Sequence, residues 1–281
     1  MISNYSGQKI AFLTQHGKEK VVARVLEPAL ACVIQHIGDF DTDQLGTFTR
    51  DTPRLGTQLD AARQKARMGM QLSGLPFGLA SEGSFGLDPF SGMFSWNVEL
   101  LLLLDDIRGI EIVGMAQGVG RSGHVQTKDW LALEAFAKRE GFPEHQLVLR
   151  PNGQDDPHIR KGIADWTLLR RYFDECLAQS DNQQVFAETD LRAFANPSRM
   201  AHIEQAAADL LRRVLSACPR CKAPGFWVTE RIPGLPCAVC ATPTSSYRSE
   251  IWQCVACHHR ENKSRTDKLF ADPQHCASCN P

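Results

Sequence analysis

Over residues 1–216, short apolar runs alternate with stretches in which apolar residues recur every three or four positions. Runs at 9–14, 32–37, 77–80, 98–104, 110–115, 146–149 and 184–188 have strand length and predict strands. The run 98–104 is apolar nearly throughout and ends on Asp105-Asp106, the pattern of a buried central strand closed by solvated acids. Helices are predicted where Val21, Val22, Val25 and Leu26 share a face, and over 55–72, where Leu55, Leu59, Ala62, Ala66 and Met70 form a stripe. Three more are predicted at 127–140, 163–178 and 197–215, the last opened by Asn196 as cap and Pro197 in the first turn. Strands and helices in alternation predict an α/β fold, a central mixed sheet with flanking helices.

The pattern changes at about residue 217. Eight of the ten cysteines fall in the last 64 residues as four identical spacings: Cys218-x-x-Cys221, Cys237-x-x-Cys240, Cys254-x-x-Cys257 and Cys276-x-x-Cys279. A C-x-x-C knuckle presents two thiolates to one metal, and two knuckles complete a tetrahedral set of four. The tail 217–281 therefore reads as a tandem zinc-ribbon domain with two structural Zn²⁺, following an α/β domain of residues 1–216. A disulfide framework or a redox pair is the other reading of such spacings. Sequential pairing of the knuckles, across 15 and 18 intervening residues, closes the shortest loops overall. A nested arrangement, joining 237/240 to 254/257 across 13 residues, is the other option considered. His258, His259 and His275 read as surface residues, since eight thiolates already fill two sites. Closed sites of this kind fold a domain and do not catalyse.

Charge divides at the same place. The net charge is −1, but residues 218–281 hold eight Lys/Arg against five Asp/Glu, a net +3, which leaves −4 for the rest. No global basic field draws the chain to nucleic acid. The tail alone interleaves Trp227, Tyr247 and Trp252 with Arg231, Arg248 and Arg260, a pattern that could grip single-stranded nucleic acid, although a small domain also needs aromatics for its own core. With 43% hydrophobic and 22% charged residues the chain is that of a folded protein. No apolar run reaches the ~20 residues a bilayer span needs. Together with the absence of a basic-then-apolar start at residues 1–9, this leads to the expectation of a cytoplasmic protein without membrane contact.

Candidate chemistry in the first domain sits where apolar runs end. The turn Thr14-Gln15-His16-Gly17-Lys18-Glu19 joins a strand to a helix, so free N–H groups and the Lys18 cation suit a phosphate; a plain capping turn is the alternative. Asp39, Asp41 and Asp43 stand at alternate positions and can offer carboxylates to Mg²⁺, or form a solvated acidic turn. Ser81-Glu82-Gly83-Ser84-Phe85-Gly86 reads as a glycine-rich loop that lets backbone and the Glu82 carboxylate approach a ligand together. Asp190 with Arg192, and Asn196 with Arg199, are further ligand candidates, with a structural ion pair as the plainer reading of the first pair. Lys161-Gly162, placed just before a helix, is a lesser phosphate candidate.

Taken together, His16-Gly17-Lys18-Glu19, Asp41-Thr42-Asp43 with Gly46-Thr47-Phe48, Ala80 to Gly86 and the Cys-rich end resemble an uncharacterised bacterial protein family. Over residues 8–105 the order of motifs is also similar, more distantly, to the inosine triphosphate pyrophosphatase superfamily. Thr14 matches that family's first turn, His16 stands in its Asn position, and Lys18 falls one residue before its Lys. Lys65-Ala66 matches its Lys-Ala pair, and Glu82-Gly83 its acid with glycine at a strand end. The resemblance implies Mg²⁺-dependent hydrolysis of a nucleotide or another phosphorylated ligand. Glu82, Asp41 and Asp43 would bind metal or orient water. Thr14, His16, Gly17, Lys18, Lys65, Ser81, Gly83 and Ser84 would bind substrate or phosphate, and Asp190, Arg192, Asn196 and Arg199 are counted among the substrate-binding candidates. The alternative is a non-catalytic module that binds nucleic acid or protein through its zinc ribbons.

Overall fold

A computed structural model describes residues 4–38 and 56–281. Asp41, Asp43 and the neighbouring Gly46-Thr47-Phe48 lie outside the described residues. Two compact units result: Met1–Leu104 with Val113–Leu210, and Asp105–Ile112 with Leu211–Pro281.

The first unit opens with β1 (Lys9–Leu13), α1 (Lys18–Leu30), β2 (Val33–Ile37), α2 (Gln58–Ser73) and β3 (Phe77–Leu87). Strands β4 (Ser95–Asp105) and β5 (Ile110–Val119) follow and complete a mixed five-stranded sheet of order β2-β1-β3-β4-β5. β1 runs parallel to both its neighbours. Ile10 to Leu13 and Leu100 to Leu104 are buried, as expected of strands covered on both faces. Small side chains let α2 lie close on this sheet: Ala62, Ala66 and Met70 pack with Ala80, Leu100, Leu102 and Leu104. At Gly69 an added Cβ would come within 3.1 Å of the Leu13 Cβ, so a side chain there would press the helix a few tenths of an ångström off the sheet. A leucine at Ala66 would overfill this layer, which typically costs about 1–3 kcal/mol. The helix starts on a capping box, Asp60 N donating to Thr57 Oγ1 (3.2 Å) and Thr57 N to Asp60 Oδ2 (3.0 Å), three residues later than the apolar stripe indicates.

After β5 the alternation continues as β6 (His124–Thr127), α3 (Trp130–Glu140), β7 (Leu147–Pro151), β8 (Arg160–Ile163), α4 (Trp166–Gln179) and β9 (Val185–Thr189). These four strands form a second sheet, order β6-β9-β7-β8, antiparallel throughout. Leu133, Phe136, Leu169 and Phe173 of the two helices cover Leu147, Leu149, Val185 and Ala187. Helix α5 (Pro197–Leu215) follows. Gly114 on β5 lies directly against the α5 backbone at Ala206 and Leu210, leaving no room for a side chain. Strands β6 and β8 were not evident in the apolar pattern, because their exposed and half-exposed residues give no apolar run. Lys161 and Gly162 lie inside β8 and not at a helix start.

The second unit contains β10 (Phe226–Pro233), β11 (Tyr247–Cys254) and β12 (Arg260–Ser264), an antiparallel three-stranded sheet. A small apolar cluster packs beside the first and third knuckles, Cys218, Phe226 and Cys254 with Ala223, Trp252 and Cys257 around it, and a domain of this size gains from structural metals. Asp105, expected to be solvated, is buried and accepts from Arg108 N (2.9 Å) and Arg108 Nη1 (2.8 Å), closing the turn between β4 and β5. No helix among the described residues is long and apolar enough to cross a membrane.

Candidate functional site

The segment read as a glycine-rich loop, Ser81 to Gly86, is strand: β3 continues without a break to Leu87. Its polar composition has a local cause. Glu99 of β4 sets its carboxylate against Gly83, where an added Cβ would collide with Oε1, so only glycine fits. Glycine here makes space for a buried acid; it does not loosen the chain.

Around that acid four more charged side chains converge in the first unit. Glu82 is buried and ion-paired with Lys65 of α2. Glu99, fully buried, accepts from Arg199 Nε at 2.8 Å and from Asn97 Nδ2 at 3.0 Å through Oε1. Its Oε2 has no hydrogen-bond partner among the described residues. Lys18, at the first position of α1, extends Nζ to the Ser81 carbonyl oxygen at 3.4 Å. Burial pulls the Lys18 ammonium down to about 7; Arg199 and Lys65 lower it and Glu82 and Glu99 oppose the shift. Three basic groups thus face two carboxylates. The cluster carries +1 with Lys18 protonated and approaches neutrality as Lys18 loses its proton. Isolated buried charges cost several kcal/mol each, so a cluster of this kind is expensive to retain for stability alone.

The supporting shell is polar and ordered. Asn97 Nδ2 also donates to Ser84 O (3.1 Å), and its Oδ1 meets His202 Nδ1 of α5 at 2.8 Å. Burial holds His202 below its ordinary value, so the ring is neutral near pH 7. Gln58 Nε2 donates to Glu82 O (2.7 Å) and Val98 O (3.2 Å), while Ser84 Oγ donates to Gln58 Oε1 (3.2 Å). The turn entering α1 is sharp: His16 (φ 72°) and Gly17 (φ 74°) are both left-handed, and no side chain caps the helix. Thr14 is buried and donates to Gln15 O (3.1 Å), and the His16 ring packs on Phe194 at 5.1 Å.

Of the candidates read from sequence, Lys18, Lys65, Ser81, Glu82, Gly83, Ser84 and Arg199 therefore meet in one place. Asn196 sits beside it as the α5 cap, Oδ1 accepting from Arg199 N (3.1 Å). Asp190 and Arg192 are spent on each other, with Arg192 Nε 3.0 Å from Asp190 Oδ1 and the guanidinium over the Phe194 ring at 4.7 Å. Gln58 and His202 give no signal in the sequence, and Asn97 and Glu99 read there only as polar residues opening the central strand. The signal for these two was present: Asn97-x-Glu99 puts two polar residues on one face of an otherwise apolar strand.

The second unit brings its cysteines together in two groups, Cys218/Cys221/Cys254/Cys257 and Cys237/Cys240/Cys276/Cys279. The knuckles interleave, first with third and second with fourth, in place of the sequential or nested pairing. The strands between knuckles account for this. β10 and β11 are antiparallel with Phe226 opposite Cys254, so the knuckle before β10 meets the one after β11. The second knuckle precedes β11 at the other end of the sheet, to which β12 returns the chain before the fourth. Cross-group separations are 3.8 Å (Cys218–Cys257), 3.6 Å (Cys221–Cys254), 3.9 Å (Cys237–Cys279) and 3.5 Å (Cys240–Cys276). A tetrahedron of sulfurs ~2.3 Å from zinc has an edge of about 3.8 Å, so each group has the shape and donor set to hold Zn²⁺. Lys222, Ala241 and His258, each one residue past a knuckle, take left-handed φ of 65°, 59° and 57°, and Cys237 and Cys254 each accept a backbone N–H, from Val239 and Ala256. His258, His259 and His275 belong to neither group; His259 stacks on Phe226. The aromatics expected to stack on bases carry the unit's own cations: Lys263 over Trp252 (4.0 Å), Arg213 over Trp227 (5.4 Å) and Arg265 over Tyr247 (4.1 Å).

A family model described as "Domain of unknown function (DUF6671)" matches residues 65–281. The chain belongs to the DUF6671 family. The DUF6671 match covers Lys65, Glu82, Glu99, Arg199 and all eight knuckle cysteines, while Lys18 and the acidic segment precede it. No curated protein matches the chain.

Proposed function

We propose that this protein is a Mg²⁺-dependent hydrolase of a nucleotide or another phosphorylated ligand, acting at Lys18, Lys65, Glu82, Glu99 and Arg199, with a second unit folded by two zinc ions. The observation that carries the reading is the convergence of three cations and two carboxylates, all largely removed from water, beside an uncapped helix N-terminus. Phosphate is the ligand whose charge and many acceptor oxygens suit such a set. Binding a polyanion would raise the Lys18 pKa and fix it as the ammonium.

Glu82 and Glu99 suit a divalent cation: Mg²⁺ takes one or two carboxylates plus substrate oxygens and water, and Glu99 Oε2 has no hydrogen-bond partner among the described residues. Asp41 or Asp43 would add a further acid. When bound, Mg²⁺ would neutralise charge on the phosphoryl oxygens. Glu82 orients the attacking water and takes its proton, Lys65 holds that carboxylate in place, and Lys18 and Arg199 neutralise the ligand's phosphate charge. A nucleoside triphosphate cleaved to monophosphate and pyrophosphate is the reaction suggested by the motif order Thr14, Lys18, Lys65-Ala66, Glu82-Gly83. Eight thiolates held ready for zinc fit a reducing compartment, the cytoplasm. A nucleic-acid role for the second unit keeps the support of its +3 charge alone, since its aromatic faces carry internal cations.

Calorimetric titration with Mg²⁺ and non-hydrolysable nucleoside triphosphates tests the site. Binding that weakens at least tenfold in K18M supports the reading; no heat with any nucleotide, or equal affinity in K18M, removes it.

A further inference from the structure

A cleft of about 720 Å³ in the first unit has in its wall Ser198, which with His145 behind it forms a hydroxyl–imidazole pair that the phosphate reading does not use. Ser198 Oγ lies 2.6 Å from His145 Nε2. The loop that carries the ring is pinned at Gly141, whose N–H is given to Ala137 and Lys138 and whose carbonyl accepts the main-chain N–H of His145 at 3.1 Å. In the tautomer with the proton on Nδ1, Nε2 carries the lone pair. Ser198 then donates its O–H to Nε2, the arrangement of a nucleophile with its base. Burial and Arg121 hold His145 below its ordinary value against Glu140 and Glu144, so the base is neutral near pH 7.

The cleft walls indicate what such a serine would meet. Met93, Phe94 and Val119 line it with 74%, 55% and 61% of their surface exposed, an apolar patch of the kind that marks binding sites. Arg121 and Arg139 stand opposite Glu140, one positive charge in excess, and Arg121 Nη1 is fixed to Arg139 O at 2.6 Å. Ser198 is the second residue of the 19-residue helix α5, so the positive end of a helix dipole lies at the reacting oxygen.

We propose that Ser198 and His145 form a second catalytic site, which cleaves a carboxylic ester carrying an apolar acyl group and a negative charge. Ser198 Oγ attacks the ester carbonyl, its proton passes to His145 Nε2, and the tetrahedral oxyanion is met by the Ser198 N–H, since Pro197 has none and the Arg199 N–H is given to Asn196. The ester C–O bond then breaks and the imidazolium returns the proton to the departing alkoxide. Water repeats the sequence on the acyl-serine, releasing the acid and restoring Ser198.

Full-length protein treated with an alkyl fluorophosphonate, followed by peptide mass spectrometry, tests this directly. One adduct is expected, on Ser198, absent in S198A and formed about 100-fold more slowly in H145Q. Circular dichroism of both variants, matching that of the parent protein, separates loss of reactivity from loss of fold. No adduct on Ser198 under conditions that saturate a serine-hydrolase control, or a parental rate in H145Q, overturns the proposal. Of two p-nitrophenyl esters differing only in a terminal carboxylate, the anionic one should lose at least tenfold in kcat/KM in R121A; equal losses for both overturn the assignment of an anionic substrate.

Discussion

Lys18 holds its ammonium in a site that disfavours the charge, and that has a measurable sign. Its folded pKa of about 7 lies below the ordinary 10.5, so between those values the unfolded chain binds more protons than the folded one. Stability contributed by this group therefore rises as pH increases from about 7 towards 10 and is flat below 7. Denaturant unfolding from pH 6 to 10 should show this rise in the parent protein, and K18M should remove it; parallel curves would mean that Lys18 is not buried as described. Gly83 offers a second residue-scale test. Alanine there would force its Cβ into the Glu99 carboxylate, and a loss of about 1–3 kcal/mol is expected from thermal melting. The sequence made Glu82 and Lys18 visible because each follows an apolar run. Glu99 is visible as a polar residue opening the central strand, but its role is not, because its partner Arg199 is 100 residues away.

At the scale of elements, the zinc groups show where local spacing stops being informative. Four C-x-x-C knuckles identify the ligands, and the 3.5–3.9 Å sulfur separations fit zinc. Loop length favoured sequential pairing, but two antiparallel strands between knuckles one and three return the chain to the same end of the sheet. Metal stoichiometry of double variants discriminates these arrangements. C218S/C254S removes two ligands of one group and should keep one zinc per chain, whereas C218S/C237S should keep none. The opposite result would restore sequential pairing. The same limit applied to β3. Its residues 81–86 look like a loop by glycine content, yet the glycine at 83 is demanded by a side chain on the neighbouring strand. Strands β6 and β8 were illegible for a related reason: their faces are half-exposed, so sheet pairing and not apolar burial defines them.

For the whole molecule, the alternation of strands and helices was enough to read an α/β unit and a cysteine-built unit after it. It was not enough to separate the mixed sheet of β1–β5 from the antiparallel sheet of β6–β9, since both arise from the same alternation. Removing metal should act on the second unit's fold: chelation is expected to release two zinc equivalents and abolish hydrogen-exchange protection across β10–β12. Retained protection after complete zinc removal would refute a structural role for the metals. The central claim concerns the first unit, that its buried charges form a phosphoryl-hydrolysing site. It is tested most directly by pyrophosphate or phosphate release from a panel of nucleotides with Mg²⁺, run with the parent protein and E82Q side by side. The account predicts turnover of at least one nucleotide that falls about 100-fold or more in E82Q; no turnover of any, or undiminished turnover in E82Q, would contradict it.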